Sequence, residues 1–113
     1  MPLPTKSIAR ANLALFAYKT FVYDISAPST DLQCIGLGIA GEAGEVADEI
    51  KKVKYHGKTL DWDVLDKEVG DVLWYIQCYA NLRGTTIPQL INKNMEKLEK
   101  RYPQGFVPGG GIR

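Results

Sequence analysis

The sequence predicts an all-α, four-helix bundle. Three observations carry that expectation. Apolar residues recur at helical spacing through two long stretches, residues 32–53 and 65–80. Both stretches open on residues that cap helices and close near a glycine. No stretch reads convincingly as a strand. At 113 residues the chain suits one domain, so residues 1–113 are expected to form a single helical unit with flexible ends at 1–6 and 104–113. A chain this short makes a modest core and gains stability by burying more surface in an oligomer.

The first helix is expected from about Ser7, an N-cap, to about Tyr23. Its apolar residues Ile8, Leu13, Leu15, Phe16, Ala17 and Val22 are only loosely periodic. "SAPST", with Pro28, then breaks the chain. The second helix starts near Ser29, Thr30 or Asp31 and runs to about Lys54, with Leu32, Ile35, Ile39, Val46, Ile50 and Val53 in one stripe. Gly57 is the expected C-cap. The third opens at Asp61 or Asp63, carries Leu65, Val69, Val72, Ile76 and Ala80, and ends before Gly84. The fourth opens near Thr85 or Thr86, tolerates Pro88 in its first turn and runs to about Arg101. Short connections make neighbouring helices antiparallel.

Charge and composition exclude several function classes. Fourteen basic residues against thirteen acidic ones give a net charge of +1, no footprint for nucleic acid or an anionic membrane. No apolar run approaches the roughly 20 residues of a membrane span, and "MPLPTKSIARANL" has no secretory h-region. Cys34 and Cys78 make no CxxC pair and His56 is the only histidine, which argues against structural zinc. The expectation is a cytoplasmic protein with two reduced, helix-buried cysteines.

The chemistry lies in "GEAGEVADEIKK", residues 41–52. With Glu42 at zero on a helical wheel, Glu45 falls at roughly −60° and Glu49 at roughly −20°, bordering the apolar stripe on one side. On the third helix, with Glu68 at zero, Asp71 falls near −60° and Tyr75 near −20°, again bordering the stripe in the same sense. Packing stripe against stripe would bring both acidic edges together. With a loop over 55–61, Glu45 and Asp71 each sit about 15 Å from the turn. Four or five carboxylates beside a core repel one another unless a cation joins them. All-oxygen ligation suits Mg²⁺ or Mn²⁺, and Mg²⁺ shares its shell with substrate phosphates. A di-iron bundle would need two ExxH motifs, which the chain lacks. An ExxE alone is most often a solvated face paired with Lys; two such pairs bordering core stripes at matched height outweigh that reading. Asn94, Lys97 and Arg101 share one face of the fourth helix and offer polar and cationic groups for phosphates. Helix packing alone accounts equally well for the glycines of the second helix.

"GLGIAGEAGEVADEIKK", "KEVGDVLWYIQCYA" and "NMEKLEKRYPQGF" together resemble the MazG-like all-α nucleoside triphosphate pyrophosphohydrolases, over about residues 30–106. The resemblance implies a Mg²⁺-dependent hydrolase that cleaves a nucleoside triphosphate to the monophosphate and pyrophosphate, in a dimer or tetramer whose site a neighbour completes. It implies Glu42, Glu45, Glu68 and Asp71 as metal ligands, with one of the glutamates or Glu49 acting on the attacking water. Lys52, Asn94 and Lys97 would hold phosphates, and Tyr75 would lie near the substrate. Many members carry Gln near the position of Lys19, so base recognition is left open; Trp62 and Trp74 are aromatic candidates, with core packing favoured for Trp74. The chain has no nucleophile constellation, which favours direct attack by water. The alternatives are a narrower dUTP or phosphoribosyl-ATP pyrophosphohydrolase, and a helical nucleotide-binding or interaction module without turnover.

Overall fold

The structure is a computed structural model that describes residues 5–26 and 30–105. It contains four helices: α1 (Thr5–Ile25), α2 (Leu32–Tyr55), α3 (Trp62–Arg83) and α4 (Ile87–Arg101). No strand occurs among the described residues, and none of the helices is long and apolar enough to cross a membrane. The expected break at Pro28 and the outermost residues of both expected flexible ends lie outside the described residues.

Local chemistry sets each boundary. Asp31 caps α2 by accepting from Cys34 N–H at 2.8 Å. His56 forms the C-cap and Gly57 follows in the left-handed region (φ 68°), turning Lys58 N–H back to the Lys52 carbonyl at 3.2 Å. Only glycine takes that conformation at little cost. Asp61 caps α3 through Asp63 and Val64 N–H, and Gly84 (φ 67°) ends it. Thr86 and Gln89 form a reciprocal capping box at the start of α4, with Pro88 in the first turn.

The α2–α3 antiparallel pair is the body of the molecule, and α1 packs against α3. The core is small. Val22 (0% exposed), Ile35 (1%) and Cys78 (5%) form its centre, with Tyr18, Ile39, Trp74 and Tyr79 packed around it. Trp74 also meets Phe21 edge-on, ring centroids 6.4 Å apart.

The expected stripe-against-stripe packing holds only in part. Ile35 and Ile39 face the core, but Leu32 and Ile50 of α2 and Val69 of α3 are exposed. Leu13 and Phe16 of α1 are exposed too. A single neighbouring helix covers only part of such a stripe, and α4 does not cover the remainder: it packs sparingly on α3. Nor are both cysteines buried. Cys34 is exposed because its side of α2 lies beside the contact with α3, while Cys78 is buried.

Candidate metal-binding site

The register of α2 against α3 positions the acidic residues. The ring of Tyr75 lies against the backbone of Gly38, where any Cβ would overlap it. One turn further along each helix stand Glu42 and Asp71. Glu42, Glu68 and Asp71 each offer a carboxylate oxygen, all within 4.8 Å of one another. Glu42 and Glu68 are half-buried and Asp71 is exposed. The two helices thus bring an acidic residue of the first motif onto both acidic residues of the second.

Glu45 is not one of this trio. The matched height expected for Glu45 and Asp71 assumed two helices symmetric about their loop. Tyr75 seated on Gly38 instead sets a register that opposes Glu42 to Asp71. Glu45 is exposed on the neighbouring turn.

Electrostatics mark Glu68 as the hub. Desolvation raises its carboxyl above the ordinary range, and Asp71, Glu45, Glu42 and Glu49 raise it further. Four other acids therefore act on this one carboxyl. Glu49 is occupied differently. Lys58 Nζ donates to its carboxylate, Lys52 Nζ lies 3.7 Å away, and the Lys58 hydrogen bond is the main reason its carboxyl is held below the usual range. Lys52 also pairs with Asp48 at 3.1 Å. Glu49, one candidate to act on water, and Lys52, one candidate to hold phosphate, are thus tied into a small ion-pair network at the end of α2. Lys58 gave no sequence signal beyond its place after Gly57.

The α4 candidates stand apart from the trio. Asn94 and Lys97 are exposed and Arg101 half-buried. Lys97 and Arg101 border a shallow recess with Lys93, Lys100 and Glu96. α4 packs only sparingly on α3, and the carboxylates that meet come from α2 and α3 alone. Tyr18 of α1 also approaches the trio: it is half-buried, and desolvation, then Cys78 and Asp71, raise its phenol pKa. A loosely periodic helix offered no way to single Tyr18 out. Trp62 is exposed at the first turn of α3.

The MazG nucleotide pyrophosphohydrolase domain model matches residues 31–106, which include both acidic motifs and the "KRYP" segment. The chain belongs to this family. It is also 32% identical over 84 residues to the Gene 37 protein of Mycobacterium phage L5, covering 71% of this chain and 74% of that protein. No solved structure matches the chain. The MazG assignment agrees with the all-α architecture and suggests nucleotide pyrophosphohydrolase chemistry, for which the Glu42–Glu68–Asp71 trio is the candidate centre.

Proposed function

We propose that the chain is a Mg²⁺-dependent pyrophosphohydrolase that converts a nucleoside triphosphate, ribo or deoxy, to the monophosphate and pyrophosphate. The convergence of Glu42, Glu68 and Asp71 within 4.8 Å, in a MazG-family chain, carries this reading. The donor set fits the ion. It is all oxygen, as Mg²⁺ and Mn²⁺ prefer, and a divalent cation would relieve the repulsion that, after desolvation, raises Glu68. When bound, the ion would supply charge neutralisation at the phosphates and Lewis acidity.

The chain's own residues supply the rest. Glu42, Glu68 and Asp71 would hold the ion, with Glu45 as a further oxygen donor or as the group that orients the attacking water. Glu45 suits the second role better than Glu49, whose carboxylate is engaged by Lys58 and held a weaker base. Water attacks the α-phosphorus, the bond to the bridging oxygen breaks, and pyrophosphate leaves with the bond's electrons. Lys52, still partly exposed, would exchange Asp48 for a phosphate, and Tyr75, one turn from Asp71, would lie near the substrate.

Asn94, Lys97 and Arg101 would serve the site from a second copy of the chain. The observation behind this is exposure: Ile91, Met95 and Leu98 line one side of α4 at 48%, 48% and 39% exposed. The radius of gyration, 17.1 Å, also exceeds the roughly 13 Å of a compact chain this long. Self-association would cover these apolar faces and carry the basic stripe to a neighbour's carboxylates. A nucleotide-pool reaction of this kind belongs in the cytoplasm.

The test is pyrophosphate release from canonical, deoxy and modified nucleoside triphosphates, with and without Mg²⁺, for the wild type, Glu42→Gln and Glu45→Gln. Mg²⁺-dependent release abolished by Glu42→Gln is expected, and the panel ranks the bases. A folded wild type that releases no pyrophosphate from any of them would overturn the assignment in favour of a binding module.

A further inference from the structure

The register that builds the acidic trio also places two cysteines on one edge of the α2–α3 interface. Gly38 faces Tyr75, and Ile35 packs with Cys78. One turn back along α2 from Gly38 stands Cys34; one turn on along α3 from Tyr75 stands Cys78. Each cysteine is rotated from the Gly38–Tyr75 line in the same sense, by roughly 40° and roughly 60°. On antiparallel helices that places both on one edge of the interface. Gly38 has no side chain to hold the helices apart beside them. The Cys34 thiol also adds to the burial that pushes the Cys78 thiol up, so the two groups sense each other.

Access differs between them. Cys34 is exposed on the surface of α2. Cys78 is 5% exposed, but it lines a surface cavity of about 570 Å³ with Ile35, Ser26, Thr30 and Asn81. A small reagent can meet Cys34 first, on the edge of the interface that also carries Cys78.

We propose that Cys34 and Cys78 form a thiol–disulfide modification site that takes low-molecular-weight disulfides as its oxidant. Cys34 gives up its proton to solvent and its sulfur attacks one sulfur of the reagent. The reagent's S–S bond breaks and one thiolate leaves. Cys78, deprotonated in turn, attacks the Cys34 sulfur of this mixed disulfide and expels the second thiolate. Both released thiolates take up protons. Two cysteine thiols are oxidised and one external disulfide is reduced to two thiols. The bond ties α2 to α3 about 12 Å along α2 from Glu42 and closes the loop from residue 34 to 78, which restricts the unfolded chain.

The experiment treats the full native chain with graded ratios of oxidised to reduced glutathione, quenches with acid, alkylates, and measures intact mass and linked peptides. The expected product is lighter than the reduced chain by two hydrogens, resists alkylation, and joins the Cys34 peptide to the Cys78 peptide. It forms at a lower oxidant ratio in buffer than in urea, because the fold supplies the proximity. Cys78→Ser stops at the glutathione adduct on Cys34. A wild type that also stops at glutathione adducts, or that links only between chains, would overturn the proposal. So would equal oxidation in buffer and in urea.

Discussion

Gly38→Ala isolates the contact that sets the register of α2 on α3. A methyl group built there falls closer than 3.0 Å to three ring carbons of Tyr75, nearer than real Cβ atoms approach anything. Gly36 and Gly44 lie in the same helix with nothing within 4 Å of the corresponding position. All three substitutions gain the same helix propensity, about 1 kcal/mol over glycine. Only Gly38→Ala must also displace a half-buried ring, and overpacking of that kind costs about 1–3 kcal/mol. Gly36→Ala and Gly44→Ala are therefore expected to stabilise by up to about 1 kcal/mol. Gly38→Ala should fall below them by about 1–3 kcal/mol, which for a chain this long is a difference in Tm of several degrees, about 4 °C per kcal/mol. Urea unfolding with a shared m-value measures all three. Adding Tyr75→Ala should turn Gly38→Ala from the worst of the set into a stabilising change, since the obstructing ring is gone. Equal effects at all three glycines, or no reversal in the Tyr75→Ala background, would refute the contact and the register built on it.

Two further outcomes are expected. In chelator, the carboxyl of Glu68 binds its proton more tightly folded than unfolded, because desolvation and its acidic neighbours raise it above the ordinary glutamate range. Its contribution is therefore full below the unfolded value and is lost as pH rises through the folded one. The wild type should lose stability relative to Glu68→Gln as pH rises across that window, and parallel curves from denaturant melts at several pH values would refute this. Asp48 and Glu49 are shifted downward, so their opposite slope falls at more acidic pH and is common to both proteins. Light scattering should give the wild type a mass above the 12.5 kDa of one chain, and Ile91→Lys with Leu98→Lys should return it to that mass without loss of helix, since both residues are exposed in the single chain. A wild type that scatters as one chain would refute self-association through α4.

Local rules were enough for the elements. Asp31, Asp61 and Thr86 cap helices because a short oxygen-bearing side chain there satisfies the first free N–H groups. Gly57 and Gly84 end helices because they adopt positive φ without strain. These interactions span a few residues, so one sequence read without a fold places α2, α3 and α4 within a residue or two. The first helix is two residues longer at each end than its weak periodicity indicated. The acidic motifs were legible for the same reason: three and four residues make one helical turn, so Glu42 and Glu45, and Glu68 and Asp71, share an edge whatever they pack against.

Pairing across helices was not legible, because it rests on contacts between residues far apart in the chain. Wheel angles put both acidic edges on one side of the α2–α3 interface but left their relative height to an assumption about the loop. Tyr75 against Gly38 decides that height, and with it the choice of Glu42 over Glu45 as partner to Glu68 and Asp71. The approach of Tyr18 from α1 and the sparing contact of α4 with α3 likewise depend on how helices cross, while the capture of Glu49 by Lys58 depends on the turn at Gly57. The sequence by itself determined four helices, two acidic edges and the oxygen-only chemistry they offer, since helical periodicity and side-chain identity are properties of the chain alone. Only the tertiary structure decided which carboxylates meet and which are already neutralised, because a shift of one turn in register moves a side chain about 5 Å, more than the length of a metal–oxygen bond.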